Sequence, residues 1–326
     1  MQPYFKITAD NKDITAAISS RLLSISISDS VGIDSDSLEI TLDDRGGSIE
    51  LPRKGALLNA SLGYKETGLA NMGAYTVDET VLSEPPATMT IRARSADLIE
   101  SMKARRTQSW DNATLGAICA TIAQRNGYSS RIAADLLNIS IAHVDQVDES
   151  DMHFLTRLTK DKGAFAKPTG GALVIVRIGD SKSSTGKSLA IIQLSRAQIQ
   201  RIEVTYADRG LYSSAQASYW DAAQAKEIPI IVGSGEPVLR LGKYSDAASA
   251  AAVAIAQLNA YARGLATLSL SCEGRTDIMS EARMNISGAR KGISGEWLIQ
   301  QVTHHFDGKG YHCEVSAESP RPGEVE

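Results

Sequence analysis

From residue 22 to residue 94 apolar and polar residues alternate with a period of two, as in Leu23-Ser24-Ile25-Ser26-Ile27-Ser28 and Leu38-Glu39-Ile40-Thr41-Leu42. Successive side chains of a strand point to opposite faces, so the alternation predicts strands with one buried and one wet face. Asp43-Asp44-Arg45-Gly46-Gly47 supplies a turn, and residues 58–62, 74–78 and 88–93 continue the pattern at short spacing. That spacing predicts an antiparallel barrel or sandwich. The period then changes: Leu115, Ile118, Cys119 and Ile122 recur at helical spacing after Asp111-Asn112, the expected cap, and Gly127 is the expected end. Residues 136–144 are apolar and irregular.

Residues 148–163 read as one short helix with both ends marked. Ser150 is the expected N-cap, because its hydroxyl can accept from an orphaned first-turn amide. Glu149 and Asp151 sit where carboxylates favour the positive helix end. Phe154, Leu155 and Leu158 form the expected buried stripe, with Arg157 and the lysines left in water. Gly163 is the expected stop, since a left-handed residue after the last turn costs glycine nothing. Lys167-Pro168-Thr169-Gly170-Gly171 then turns the chain into Leu173-Val174-Ile175-Val176. Residues 179–188 are polar and Ser/Gly-rich, as in a linker or an exposed loop.

Strands return from Ile199, at residues 202–206, 215–220 and 228–232. One long helix interrupts them, from a Ser245 cap with Asp246 in its first turn to Arg263, with Gly264 as stop. Its expected inward stripe is Ala248, Ala251, Ala252, Ile255, Leu258, Asn259 and Ala262. Strands at 268–271, 284–287, 297–302 and 311–317 follow. Laid side by side, the two β-rich flanks answer each other. Asn59-Ala60-Ser61 matches Asn285-Ile286-Ser287, Gly73-Ala74-Tyr75-Thr76-Val77 matches Gly295-Glu296-Trp297-Leu298-Ile299, and Met89-Thr90-Ile91-Arg92-Ala93 matches Cys313-Glu314-Val315-Ser316-Ala317. Identity is faint, but the shared order of elements predicts a duplication. The expected fold class is α+β and mainly β. Two related antiparallel β domains, barrel or sandwich, at residues 1–103 and 184–319, flank a small α+β domain, residues 104–183, and residues 320–326 form a flexible tail.

Composition narrows the function. At 326 residues two or three domains are expected, and a net charge of -4 argues against a nucleic-acid binder working by counterion release. Cys119, Cys272 and Cys313 are widely spaced and odd in number, which suits a reducing cytoplasm, and Cys119 is expected to be a small core residue. The first residues lack the pattern of a signal peptide, and the alanine-rich stretch at 247–262 is too short and too weakly apolar to span a bilayer.

The candidate chemistry is thin. Residues 179–188 end in Gly186-Lys187-Ser188, but six residues separate the glycines where a phosphate cradle needs four, and the following Leu189-Ala190-Ile191-Ile192 reads as a strand. His304, His305, His312 and Cys313 cluster, but His304 and His305 point to opposite faces of a strand, so the histidines are expected at the surface or in turns, not at a metal. His153 lacks a second helical histidine, and His143 stands alone. The carboxylate pairs Asp43-Asp44 and Glu149/Asp151 are expected to be solvated charge, not hydrolase acids. No Gly-x-Ser-x-Gly elbow is present. No catalytic residue, cofactor or metal is therefore expected.

The stretch Glu149-Ser150-Asp151 through Phe154, Leu155, Arg157 and Leu158 to Gly163 resembles the central motif of the late control protein D family, the hub proteins of contractile phage tails. That family is similar also to the hub part of type VI secretion spike proteins. Gly295-x-Trp297 and Gly310-Tyr311, after the alanine-rich helix, resemble the family's second barrel, while the short C-terminus departs from members with an extended spike-docking tail. The resemblance implies two tail-tube-like barrels per chain and a homotrimeric ring that joins a six-fold tail tube to a three-fold central spike. The implied partners are the tail spike, the tail tube, the tape measure and other baseplate proteins, with no specific nucleic-acid binding and no membrane insertion. The implied location is the baseplate hub of a virion tail or tail-like particle, made in the bacterial host cytoplasm. A second reading, a cell-wall glycan hydrolase or binding module of a tail, rests on the small central domain and its polar loops.

Overall fold

The computed structural model describes residues 1–32, 36–47, 49–95, 100–179, 181, 188–207, 212–244, 246–263 and 265–320. The Ser245 cap, the Gly264 stop, most of the Gly-Lys-Ser stretch (residues 180 and 182–187) and the tail from residue 321 lie outside the described residues.

The alternating first part forms β1 (Pro3–Ala9), β2 (Lys12–Asp13), α1 (Thr15–Ser19), β3 (Leu22–Ser30), β4 (Ser37–Asp43), β5 (Leu57–Tyr64), β6 (Gly68–Ser83) and β7 (Thr88–Ser95). Neighbours run antiparallel in the order β3-β4-β7-β6-β5-β1-β2. Ile25, Ile27, Leu38, Ile40, Leu42, Met89 and Ile91 are all buried on one face. Each such side chain contributes about 1.5–3 kcal/mol on burial. A slip of one residue would turn the whole set to water, so the pattern fixes the register.

The middle part contains β8 (Arg105–Thr114), α2 (Leu115–Arg125), β9 (Ser129–Ile132), α3 (Ala134–Leu137), β10 (Ser140–Ser150), α4 (Asp151–Lys160), β11 (Ala164–Thr169) and β12 (Ala172–Arg177). β8 pairs with β10, β11 with β12, and β12 with β9, and the helices pack against them around Ile118, Cys119, Ile122, Phe154, Leu155 and Leu173. Three expectations need correction. Asp111 and Asn112 lie inside β8, and the cap of α2 is Thr114, whose hydroxyl accepts from the Ala117 amide at 3.1 Å, because strand pairing ends at the Ser140–Thr114 rung. Residues 136–144 are not irregular: they finish α3 and start β10, whose pairing with β8 overrides its weak alternation. The central helix begins at Asp151, not Asp148, since Asp148, Glu149 and Ser150 still belong to β10.

The last part contains β13 (Ile192–Ser195), β14 (Ile199–Tyr206), β15 (Ser214–Asp221), β16 (Lys226–Gly233), β17 (Val238–Tyr244), α5 (Ala247–Arg263), β18 (Ala266–Glu273), β19 (Arg283–Ser287), β20 (Gly295–Asp307) and β21 (Gly310–Glu318). β15, β16 and β17 leave the main sheet and form a small one of their own, carrying α5. The buried face of α5 is Ser249, Ala250, Val253, Ala254 and Ala256, and Ile255 is 47% exposed. The expected stripe was rotated, because a nearly uniform run of alanines gives little to tell one face from another. What selects the face is packing of Ala250 and Ala254 onto Ala215, Ala217 and Leu239.

The two flanks are a structural repeat. The second flank pairs in the order β14-β18-β21-β20-β19-β13, which reproduces β3-β4-β7-β6-β5-β1 strand for strand. The irregularities repeat too. The β3–β4 ladder is bulged between Leu22 and Ser24, and the β14–β18 ladder between Ile199 and Arg201. The β6–β7 ladder is bulged between Val77 and Glu79, and the β20–β21 ladder between Ile299 and Gln301. Gly73 lies opposite Ala60 at φ 120°, and Gly295 opposite Ile286 at φ 128°. Two residues after each glycine stands a buried ring, Tyr75 or Trp297. One departure is that β13 runs parallel to β19 whereas β1 runs antiparallel to β5. The repeats meet where β20 pairs antiparallel with β3, which fuses them into one sheet of 13 strands over a shared core. The chain is thus mainly β, with two related antiparallel β repeats and a small α+β unit between them in sequence.

Candidate functional site

The central motif is built from the end of β10 and the first turns of α4. The Ser150 hydroxyl caps the helix, accepting from the His153 amide at 3.2 Å. Glu149 accepts from Arg157 at 2.8 Å and contacts the His153 ring at 2.5 Å, and the Arg157 guanidinium holds its carboxyl below the usual range. Arg157 also lies over the Phe154 ring, 5.3 Å from its centroid, and Trp110 stacks on that ring at 6.4 Å. Phe154, Leu155 and Leu158 are buried. Of the lysines expected in water, Lys162 is buried, and burial lowers its pKa.

Asp151 is the main correction, because it is not solvated: its exposure is 0%. Its carboxylate accepts from Asn126 Nδ2 at 2.8 Å and Gln146 Nε2 at 2.9 Å. Arg125 Nε at 3.3 Å and Arg106 Nε at 3.6 Å face it at ion-pair distance, outside hydrogen-bond alignment. A buried carboxylate persists only when paired in this way. The site ties α4 to α2, β8 and β10. Of the other carboxylate pair, Asp43 ends β4 and binds the exposed Arg45, and Asp44 follows it at the start of the connection to β5. Gly163 has φ +64°, and a Cβ there would stand 3.2 Å from the Ala256 Cβ of α5, so the residue serves both the turn and the close approach of that helix.

A second cluster joins all three parts of the chain. Lys167 Nζ on β11 donates to Asp29 Oδ1 at 2.8 Å and to the Ser30 carbonyl at 2.9 Å, and lies 3.2 Å from Asp36 Oδ1. Ser280, from the second repeat, donates its amide at 2.8 Å and its hydroxyl at 2.7 Å to the same Asp29. Burial pushes the Asp36 carboxyl up to about 6 and that of the adjoining Glu281 to about 8. Burial acts on Asp29 too, but Lys167 and Ser280 outweigh it and hold that carboxyl down.

The remaining motif residues are in the second repeat, apart from the central helix. Trp297 is fully buried and donates Nε1 to the Ile293 carbonyl at 2.9 Å. Gly310, at φ +103°, closes the tight β20–β21 hairpin. Tyr311 packs on Tyr64 of the first repeat, with ring centroids 5.6 Å apart, and Tyr64 Oη donates to the Gly274 carbonyl at 2.9 Å. Tyr311 Oη also meets His304 Nδ1 at 2.9 Å. His304 is therefore a core residue, not the surface or turn residue expected, and burial lowers its ring to about 4. His305 does point to the other face, where it stacks on His312. Cys119 is buried, and burial pushes its thiol up to about 12. Among the described residues no group of three or more His, Cys, Asp and Glu converges as a metal site would require.

The widest feature is the polar face of the fused sheet. Directly opposed residues form unbroken rows across it: Arg201, Ser271, Glu314, Thr303, Ser28, Ser37 and Arg94 in one, and Glu273, His312, His305, Ser26, Glu39, Arg92 and Glu79 in the next. Arg92 pairs with Glu39 at 2.9 Å and Glu79 at 3.0 Å, so two carboxylates more than offset its charge within the row. Sequence reasoning missed Arg106, Arg125, Asn126, Gln146, Lys167, Asp29 and Ser280. All but Gln146, five residues from Asp151, are far along the chain from the group they serve, and only the alternation of the strands was a local signal for the polar rows.

A model of the phage tail baseplate hub (GPD) family matches residues 72–310. The probable baseplate hub protein of Escherichia phage 186 is 32% identical over 95% of this chain and 91% of its own length. The 43 kDa tail protein of prophage MuSo2 from Shewanella oneidensis has the same fold, with a TM-score of 0.72, 17% identity and coverage of 98% of this chain and 99% of that one. An E. coli component of the type VI secretion system, itself similar in structure to T4 bacteriophage tail proteins, superposes with a TM-score of 0.57 at 12% identity over 94% of this chain and 77% of that one. The duplicated sheet, the central helix and these matches agree, and the chain belongs to the phage tail baseplate hub family.

Proposed function

We propose that this baseplate hub works as a homotrimeric symmetry adaptor between a six-fold tail tube and a three-fold central spike. The observation that carries the reading is the structural repeat: one chain supplies two barrels of the same strand order with the same two bulges, fused edge to edge. Three such chains present six similar units on one side and three copies of everything unrepeated on the other. Repeated head-to-tail joints close into a ring when the rotation fits. In that ring the polar rows of the sheet line the lumen, where paired charges and hydroxyls let DNA pass without the counterion release that would hold it.

In this reading residues 1–103, 104–183 and 184–319 act as three domains, and the tail tube, spike and tape measure are the partners, within the tail of a virion or tail-like particle made in the host cytoplasm. The motif residues Glu149, Ser150, Asp151, Phe154, Leu155, Arg157, Leu158, Gly163, Gly295, Trp297, Gly310 and Tyr311 serve packing and no chemistry. Sedimentation of the purified chain, alone and with its spike protein, tests this. A trimer in at least the mixture is expected, and a monomer at every concentration in both samples contradicts it.

A further inference from the structure

The joint between the repeats inside one chain is a template for a joint between chains. Inside the chain, β20 beyond its bulge pairs with β21 on one side and with the outer edge of β3 on the other, with Thr303 opposite Ser28 and His304 opposite Ile27. The repeat supplies a second copy of each edge. By the matched bulges, Thr303 and His304 correspond to Val81 and Leu82 of β6, and Ser28 and Ile27 correspond to Thr205 and Val204 of β14. Among the described residues these two edges have no strand partner: residues 79–83 of β6 pair only with β7, and β14 pairs only with β18.

They also carry apolar side chains in the wrong place for a free edge. Leu82 belongs to the core-facing row, opposite the buried Met89, yet is 58% exposed, and Tyr206, on the core-facing side of β14, is 56% exposed. Free sheet edges with apolar flanks invite pairing, and closure into a barrel removes them.

We propose that neighbouring copies of this chain join by antiparallel pairing of β6 of one with β14 of the next, with Val81 opposite Thr205 and Leu82 opposite Val204. The occupant of each edge is a second copy because the chain itself shows the matching joint, in the same orientation and built from the corresponding strands. The joint sets Thr80 against Tyr206 and covers Leu82 on the core side, and it sets Ser83 beside Glu203 on the polar side, so the polar rows run on from chain to chain. This rests on the trimeric reading above and adds the strands and register that close the ring.

The test is oxidation of paired cysteines with copper phenanthroline in the full chain, with and without the spike protein, read on non-reducing gels. The native Cys119, Cys272 and Cys313 are buried and serve as a background. The S28C/T303C variant calibrates the reaction, because these two hydroxyls lie 3.1 Å apart inside one chain. The V81C/T205C variant is expected to give linked dimers and trimers, and V81C/E203C, shifted by one rung of the same face, at least tenfold less. The L82D variant is expected to keep the melting temperature of the monomer and lose the trimer. A trimer in which V81C/T205C stays unlinked, or in which the shifted pair links as well, overturns the joint and leaves the trimeric reading intact. A protein that is monomeric with and without its spike overturns both.

Discussion

At Asp151 two arginines and two amides converge on one buried carboxylate, so its removal leaves Arg106 and Arg125 facing each other without an anion. Breaking a buried pair from one side costs about 3–5 kcal/mol. Asp151→Ala should lose that much in urea denaturation, whereas Asp43→Ala, at the end of β4 where the partner is the exposed Arg45, should lose no more than about 1 kcal/mol. Glu281 makes a prediction of opposite kind. Burial raises its carboxyl in the fold to about 8, well above the value it takes in the unfolded chain. The unfolded state then loses its proton first as pH rises, and the stability held at low pH declines up to about pH 8. Glu281→Gln keeps the neutral form at all pH, so its melting temperature should match the wild type near pH 5 and exceed it near pH 9. At this scale the apolar members of the motif were legible, since Phe154, Leu155 and Leu158 sit on one helical face. Asp151 was not, because its partners come from β8, α2 and β10 and no local pattern announces them.

At the scale of elements, alternation found β3–β7, β14 and β18–β21 of the two repeats, missed β1 and β2 and placed the strand at β13 three residues early, while helical spacing found α2, α4 and α5. The failures have physical causes. β10 owes its extension to pairing with β8, and a strand stabilised by its partner need not alternate clearly. The inward face of α5 was misread because alanine fills both sides of it, and the choice is made by the sheet of β15–β17 and by Gly163 beneath Ala256. Gly163→Ala should cost about 1–2 kcal/mol from the left-handed backbone alone. If the cost is larger in the full chain, and a shortened side chain at position 256 recovers the excess in a double-mutant cycle, the close approach to α5 accounts for it. The absence of any loss would contradict both roles of the glycine.

At the scale of the molecule, the faint pairings of the flanks became a repeat whose bulges, glycines and buried rings coincide. Sequence alone showed the order of elements but not that the repeats share one sheet, since the β3–β20 joint links residues far apart along the chain. Nor did it show the anchor at Lys167, where one ammonium group from the middle part binds Asp29 and Asp36 of the first repeat and sits beside Ser280 of the second. A fused pair of equivalent repeats, joined also by Lys167 and by Tyr64 against Tyr311, is the subunit that the proposed trimeric adaptor requires. Electron microscopy of the hub, alone or within a tail, viewed down the tail axis, tests that claim most directly. A ring of three chains showing six similar lobes about an open lumen is the result expected. A ring with three lobes, or with the polar rows of the sheet turned outward, would contradict it.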